Sequence, residues 1–223
     1  MSAIARAMAD GLHVRTQARV VALAGGAQSW RLLIEEGSAR AWSEPLGTVI
    51  VSAPAPQAAE LLRAVSPAAA SVADQAIMRP CWAGLFVLPR STTRGLASGP
   101  VDDDEALAWI ASRAERQQTK SSDVDDCIVV HARADWSAAR LEADGATVIA
   151  ELGARLAKRL GQPLASLYQS AHRWRYALVD APAPGPHYWD PGQRLGLCGD
   201  WLVGARVDAA WASGLSLARA IIG

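Results

Sequence analysis

The chain has 223 residues, enough to bury a core as one large domain or two small ones, and 51% hydrophobic against 20% charged residues mark it as globular rather than disordered. Its 22 basic residues are balanced by 22 acidic ones without a long basic run, which excludes the electrostatic footprint of nucleic-acid binding and removes a net-charge barrier to self-association. No apolar stretch approaches the roughly 20 residues that span a bilayer, no signal-peptide core opens the chain, and three widely spaced cysteines (Cys81, Cys127, Cys198) fit neither a disulfide framework nor a zinc site, so a reducing cytoplasm is expected.

Ile4, Met8 and Leu12 recur at helical spacing with Gly11 as a stop, which predicts a short amphipathic helix. Residues 12–16, 19–24 and 30–35 read as strands, the last two joined through a Gly25-Gly26 turn. Residues 48–52 form a continuous apolar run, the pattern of a parallel strand buried on both faces. Pro54 and Pro56 end it, and Pro56 suits the first turn of a helix carrying Leu61 and Leu62. Residues 81–88, 106–111, 127–131 and 168–177 are expected to make an antiparallel set. The acidic run Asp102-Asp103-Asp104-Glu105 lacks the interleaved ligands of a cation loop and reads as a solvated loop, so no metal site is expected. A helix over residues 144–160 presents Ile149, Leu152, Leu156 and Leu160 on one face and stops at Gly161 and Pro163. Pro182, Pro184 and Pro186 make a stiff connection back to a last strand.

The tail is the most informative stretch. Leu195-Gly196-Leu197-Cys198-Gly199-Asp200-Trp201 is a short apolar run ending in Gly-Asp, and a glycine-containing loop follows. A helix then opens at Val207 or Asp208, with small residues at Ala209, Ala210, Ser213, Gly214 and Ala218. This order sets a carboxylate at the carboxyl end of a strand and leaves first-turn N–H groups without internal acceptors. A polyol joined to a delocalised anion suits such a site. A flavin offers both, in its ribityl hydroxyls and in the ring edge that turns negative on reduction.

The segment closely resembles the carboxyl-terminal flavin-binding motif of the FAD-dependent amine oxidase and renalase-like oxidoreductases. Upstream blocks are similar to that family's, in its order: Val49-Ile50-Val51-Ser52-Ala53-Pro54-Ala55-Pro56-Gln57, Val130-His131-Ala132 with Asp135-Trp136-Ser137, and His172-Arg173-Trp174-Arg175-Tyr176-Ala177. The family's amino-terminal GxGxxG turn, which grips the FAD pyrophosphate and leads to the acidic residue for the ribose, has no counterpart in these residues. The resemblance therefore implies a mixed α/β (α+β) fold. A partial FAD/NAD(P)-binding Rossmann-like layer at 1–60 and 190–223 would be interleaved with an antiparallel-sheet substrate domain at 61–189.

By the same resemblance the cofactor is FAD, bound poorly by these residues alone, and its contacts are Gly199, Asp200, Val207, Asp208 and Ala209 with Val20 and Ala53. Asp200 would accept bonds from ribityl hydroxyls, Val207 would act through its backbone N–H, and Val20 matches a valine brought to the adenine. Each has a plainer reading: a loop cap for Asp200, a helix N-cap for Asp208, a core valine for Val20, core filling for Trp201 and Trp211. The family more often has Glu-Gly where this chain has Asp208-Ala209, so the Ala209 methyl is expected to crowd the ring.

No catalytic residue is assigned. The candidates are His172 and Trp174, which share one face of a strand whose other face carries Arg173 and Arg175, and His131, for which a hydrogen-bonded core position is the commoner role. Hydride removal by a flavin needs no protein nucleophile, and Ser213-Gly214-Leu215-Ser216 is not a nucleophile elbow. The expected activity is hydride transfer from an amine-like or reduced-nicotinamide-like small molecule to FAD. Two other readings stay open: a non-catalytic interaction module, and a carboxyl-terminal half that complements a separately encoded FAD-binding half or associates with itself.

Overall fold

Caps, turns and apolar periodicity account for most elements of this computed structural model, which describes residues 2–27, 29–116 and 125–223. In chain order they are α1 (Ser2–Met8), β1 (Arg19–Ala24), β2 (Arg31–Glu36), β3 (Ala39–Trp42), β4 (Val49–Val51), α2 (Ala55–Leu62) and α3 (Pro67–Ala73). Next come β5 (Ile77–Leu88), β6 (Gly99–Pro100), β7 (Leu107–Ser112), α4 (Arg113–Arg116), β8 (Asp126–Ala132), α5 (Ala134–Ala138), α6 (Gly145–Leu160) and β9 (Tyr168–Ala181). The last are β10 (Tyr188–Asp190), β11 (Leu195–Leu197) and α7 (Val207–Ile222). They divide into two units, Met1–Ala76 with Ala181–Gly223, and Ile77–Asp180.

The first unit holds two three-stranded sheets. One is the antiparallel meander β1-β2-β3, with Val20 opposite Ile34 and Ala24 opposite Arg31. Its first loop is longer than a two-residue turn: Gly25 has φ +90°, and a Cβ there would lie 2.1 Å from the Ser29 carbonyl oxygen, so only glycine closes it. The other sheet has the order β10-β11-β4. In it β11 runs antiparallel to β10 and parallel to β4, pairing Leu195 with Val49 and Leu197 with Val51. Leu195 and Leu197 are fully buried, as are Ala55, Ala58 and Leu62 on the inward face of α2. Gly196 lets α7 lie close on the sheet, since a Cβ there would meet a Leu217 methyl at 2.9 Å.

Two expectations are corrected here. Residues 12–16 form no strand: Leu12 is 68% and Val14 61% exposed, and no described strand pairs with them to shelter their backbone. The run at β4 is buried on one face only, because Ile50 is 49% exposed between buried Val49 and Val51.

The second unit is built on the sheet β6-β7-β8-β5-β9, whose β5/β8, β7/β8 and β6/β7 pairs are antiparallel. Alternation along its strands buries Trp82, Phe86, Ile110, Ile128 and Val130 with Val148, Leu152 and Leu156 of α6. Gly84 and Gly153 make this approach close, each placing its missing Cβ within 3.4 Å of the Phe86 ring. Asp144 caps α6 by accepting the Thr147 N–H at 2.9 Å, and Gly161, with φ 69°, ends it in the left-handed region. The acidic run is not merely solvated: Asp103 pairs with Arg159, Glu105 and Asp104 with Arg155, and Asp104 Oδ1 also accepts the Ala106 and Leu107 N–H groups.

Asp126 is fully buried, accepting from Ser112 Oγ at 2.7 Å and from the Ala114 N–H at 2.8 Å, with the Arg90 guanidinium 3.8 Å away. Side-chain burial of this kind carries no periodic signal, and the sequence reading misses it. Among the described residues no helix is long and apolar enough to cross a membrane, and no cluster of three metal-ligating side chains occurs.

Candidate functional site

Parallel pairing brings the carboxyl ends of β4 and β11 to one edge of their sheet, the place where open α/β layers bind ligands. From β4 the chain passes Ser52 to Ala53 and then into α2; from β11 it passes Cys198 to Gly199 and Asp200. Two bonds hold these exits. The Trp201 indole N–H donates to the Ala53 carbonyl at 3.0 Å, and the Gly199 N–H donates to Ser213 Oγ of α7 at 2.9 Å. Trp201 and Ser213 are buried, so both bonds are shielded from competing water. A side chain at Gly199 is excluded, since its Cβ would sit 2.5 Å from Trp201 Nε1.

Asp200 opens a short 3-10 turn, and its carbonyl accepts from the amides of Val203 at 2.8 Å and Gly204 at 2.6 Å. Its half-buried carboxylate has no partner among the described hydrogen bonds and ion pairs. Asp200 is the first residue of that turn, whose cap position is Gly199, and its side chain makes no capping bond.

α7 begins at Val207 after an extended Arg206, with no side-chain cap. The amides of Ala209 and Ala210 reach the Arg206 carbonyl, whereas those of Val207 and Asp208 have no acceptor among the described residues. Asp208 is thus not the N-cap expected from sequence but an exposed first-turn residue 3.3 Å from Arg206 Nε. Its charge still complements the positive end of the helix. Ala209 is 2% exposed, so its methyl is packed inward and does not project from the turn.

Val20 and Ala53, named from separate blocks of sequence, line one cavity of about 470 Å³ together with Arg19, Glu35, Arg40 and Gln57. Arg40 Nε donates to Glu35 at 2.9 Å in that wall. Ala53 joins the two parts of the site: its residue borders the cavity and its carbonyl holds Trp201. Cys198 is half-buried beside the exit of β11, and burial pushes its thiol pKa up, so it stays protonated.

In the second unit His131, His172 and Trp174 are exposed rather than in the core. His131 lies opposite Trp109 on β7 and Ala83 on β5, on the sheet face that α6 does not cover. Packing around its ring lowers its pKa below the ordinary histidine value, so it is neutral at pH 7. The His172 and Trp174 rings meet at a tilt of 60° with centroids 4.3 Å apart, and Trp174 is 55% exposed. The alternate residues Arg173 and Arg175 both pair with Glu142, which commits them to structure. Of the two tryptophans in the tail, Trp201 fills the core and Trp211 is 59% exposed.

No protein-family model matches the chain. Among solved structures the fold is similar to the protein assigned as a protoporphyrinogen oxidase from Exiguobacterium sp. 255-15, at 14% identity and TM-score 0.69 over 99% of this chain and 50% of that one. Cyclohexylamine oxidase from Brevibacterium oxydans IH-35A matches at 12% identity and TM-score 0.61, over 91% and 47%. A putrescine oxidase redesigned in its cofactor binding matches at 14% and 0.62, over 98% and 51%. At these identities the likeness is one of fold, and the chain spans about half the length of each protein.

Proposed function

We propose that this chain carries the flavin-facing and substrate-facing part of an FAD-dependent oxidoreductase of the amine oxidase type. The observation that supports it most is the partnerless Asp200 carboxylate at the carboxyl end of β11, next in sequence to the uncapped start of α7. The oxidase folds of the solved neighbours support it independently.

The residues fit the cofactor. Asp200 can accept hydrogen bonds from ribityl hydroxyls, and the free amides of Val207 and Asp208 can donate to an anionic ring edge. Val20 and Ala53 offer an apolar wall for the nucleotide end in a cavity where Arg19 and Arg40 are balanced by Glu35 and Glu60. The Ala209 methyl is packed inward, an arrangement compatible with a ring lying against the first turn of α7. Bound FAD would supply the hydride acceptor. Within the second unit, exposed His131 and the tilted His172–Trp174 ring pair are separate candidates for holding a planar or apolar group of a substrate. The renalase-like variant of this activity, with a reduced nicotinamide as substrate, belongs to the same proposal.

The pyrophosphate grip is not encoded in these 223 residues, so the full site needs a GxGxxG unit in addition. The test is to purify the chain, add FAD and measure protein-bound flavin absorbance after desalting, with and without a fused strand, GxGxxG turn and helix. Flavin retained only in the fusion supports the proposal. No flavin in either form favours a non-catalytic interaction module.

A further inference from the structure

α7 turns one face inward, where Ala209, Ser213 and Leu217 are buried. The opposite stripe is apolar as well. Val207, Trp211 and Leu215 recur every fourth residue, Ala218 and Ile222 continue the row, and Val207, Trp211, Leu215 and Ile222 are all exposed, Ile222 to 85%. An outward helix face is ordinarily polar, whereas the only charged residues of this helix are Asp208 and Arg219. These two lie about three turns apart and so stand on the same flank of the apolar row. Arg219 has no side-chain partner among the described residues. Asp208 has only Arg206 at 3.3 Å, and both side chains of that pair are largely exposed, so it is weak and readily exchanged.

We infer that this stripe is the contact between two copies of the chain, α7 packed antiparallel on α7 about a two-fold axis that passes between Ser213 and Gly214. Charge and symmetry select that arrangement. In an antiparallel pair each flank faces the same flank of the other copy in reversed order, so Asp208 of one copy meets Arg219 of the second, and the ion pair forms twice. The midpoint of the two charges falls close to the middle of the apolar row, so one axis serves both. Trp211 then lies between Leu215 and Ala218 of the second copy, where the alanine leaves room for the indole. Gly214, whose missing Cβ would meet nothing within 4 Å, stands beside the axis and lets the helices approach. A parallel pair would set like ends of the two helix dipoles together and bring each charge beside its own kind. The row is about 22 Å long and offers roughly 500 Å² per copy, near the lower bound for a specific interface, which fits a dimer of micromolar Kd. With 22 basic and 22 acidic residues, no net repulsion opposes it. The first-turn amides of α7 point along the helix axis rather than sideways, so this contact leaves them open to a ligand.

The test needs no flavin and is read as mass, so its outcome is separate from that of cofactor binding. Sedimentation velocity over roughly 2–200 µM chain should show a concentration-dependent passage from monomer to dimer. Trp211→Ser and Leu215→Lys change exposed positions, so far-ultraviolet circular dichroism should stay as in the parent while each weakens the dimer roughly tenfold or more. Asp208→Arg or Arg219→Asp alone sets like charges opposite each other twice per dimer and should weaken it severalfold. The double reversal Asp208→Arg with Arg219→Asp should restore the dimer, a rescue that simple loss of helix cannot produce. A monomer across the whole range would leave the stripe to some other partner and overturn the inference. A dimer indifferent to both Trp211→Ser and Leu215→Lys, or a double reversal no stronger than either single one, would overturn it as well.

Discussion

The Gly199 N–H donates to Ser213 Oγ across 2.9 Å, tying the exit of β11 to the second turn of α7. Strand and helix thereby keep one register. Ser213→Ala leaves that amide without its acceptor in a shielded place, and the variant is expected to lose about 1–3 kcal/mol in urea denaturation. A loss confined to flavin binding, with the urea midpoint unchanged, would argue that the bond forms only in the loaded protein.

Asp200→Asn should behave in the opposite way. Its carboxylate serves no described partner, so unfolding stability should stay within about 0.5 kcal/mol of the parent. In the form fused to a GxGxxG unit, flavin affinity should fall roughly tenfold or more, as for loss of a charge-assisted bond. Equilibrium dialysis against FAD reads the difference, and unaltered affinity removes Asp200 from the site.

Gly199→Ala tests the fit of the turn. The added methyl overlaps the Trp201 indole, so the ring must shift and its bond to the Ala53 carbonyl must lengthen or break. A cost of about 1–3 kcal/mol and altered tryptophan fluorescence are expected.

In the second unit Asp126→Ala strands Ser112 Oγ and the Ala114 N–H and removes the counter-charge beside Arg90. A loss on the order of 3 kcal/mol is expected, because a buried charge network is broken on one side. Thermal unfolding monitored in the far ultraviolet provides the measurement.

His131 sets a pH dependence whose sign follows from its environment. Its folded pKa lies below the ordinary value, so as pH falls through about 6.5 the unfolded chain takes up the proton more readily than the folded one. Stability should therefore decline on acidification through that range and be fully present above it. His131→Gln should flatten the urea midpoint between roughly pH 7.5 and 5.5. An identical slope in parent and variant would assign the effect to other groups.

Much of the fold is legible in the sequence where local signals agree. α6 has both a capping aspartate and a closing glycine around a periodic apolar stripe, and β8 alternates cleanly between buried and outer positions. β3, β10 and α3 are missed for identifiable reasons. The four residues of β3 are all exposed and pair only because β2 supplies a partner. β10 has three residues, and α3 is mostly alanine with no amphipathic contrast.

The site divides in the same way. Gly199, Asp200 and the start of α7 stand in one continuous motif and can be read directly. Glu35, Arg40 and Gln57 meet Val20 and Ala53 only after β1, β2, β3 and α2 pack, and no spacing announces that. That His131 is exposed where a core position is the commoner role has one cause: alternation tells which residues share a face, not which face a helix covers.

The bond from the Trp30 indole to the Gln193 carbonyl closes a loop of 163 residues, and that from Trp201 to Ala53 one of 148. During synthesis at about 5–20 residues per second, β4 therefore waits roughly 7 to 30 seconds for β11 to be made. Ile77–Asp180 is made whole in that interval and can collapse first, around short-range hairpins. The nascent chain meanwhile carries an orphaned apolar strand, which makes this polypeptide a candidate client for ribosome-associated chaperones and makes slow translation hazardous for it.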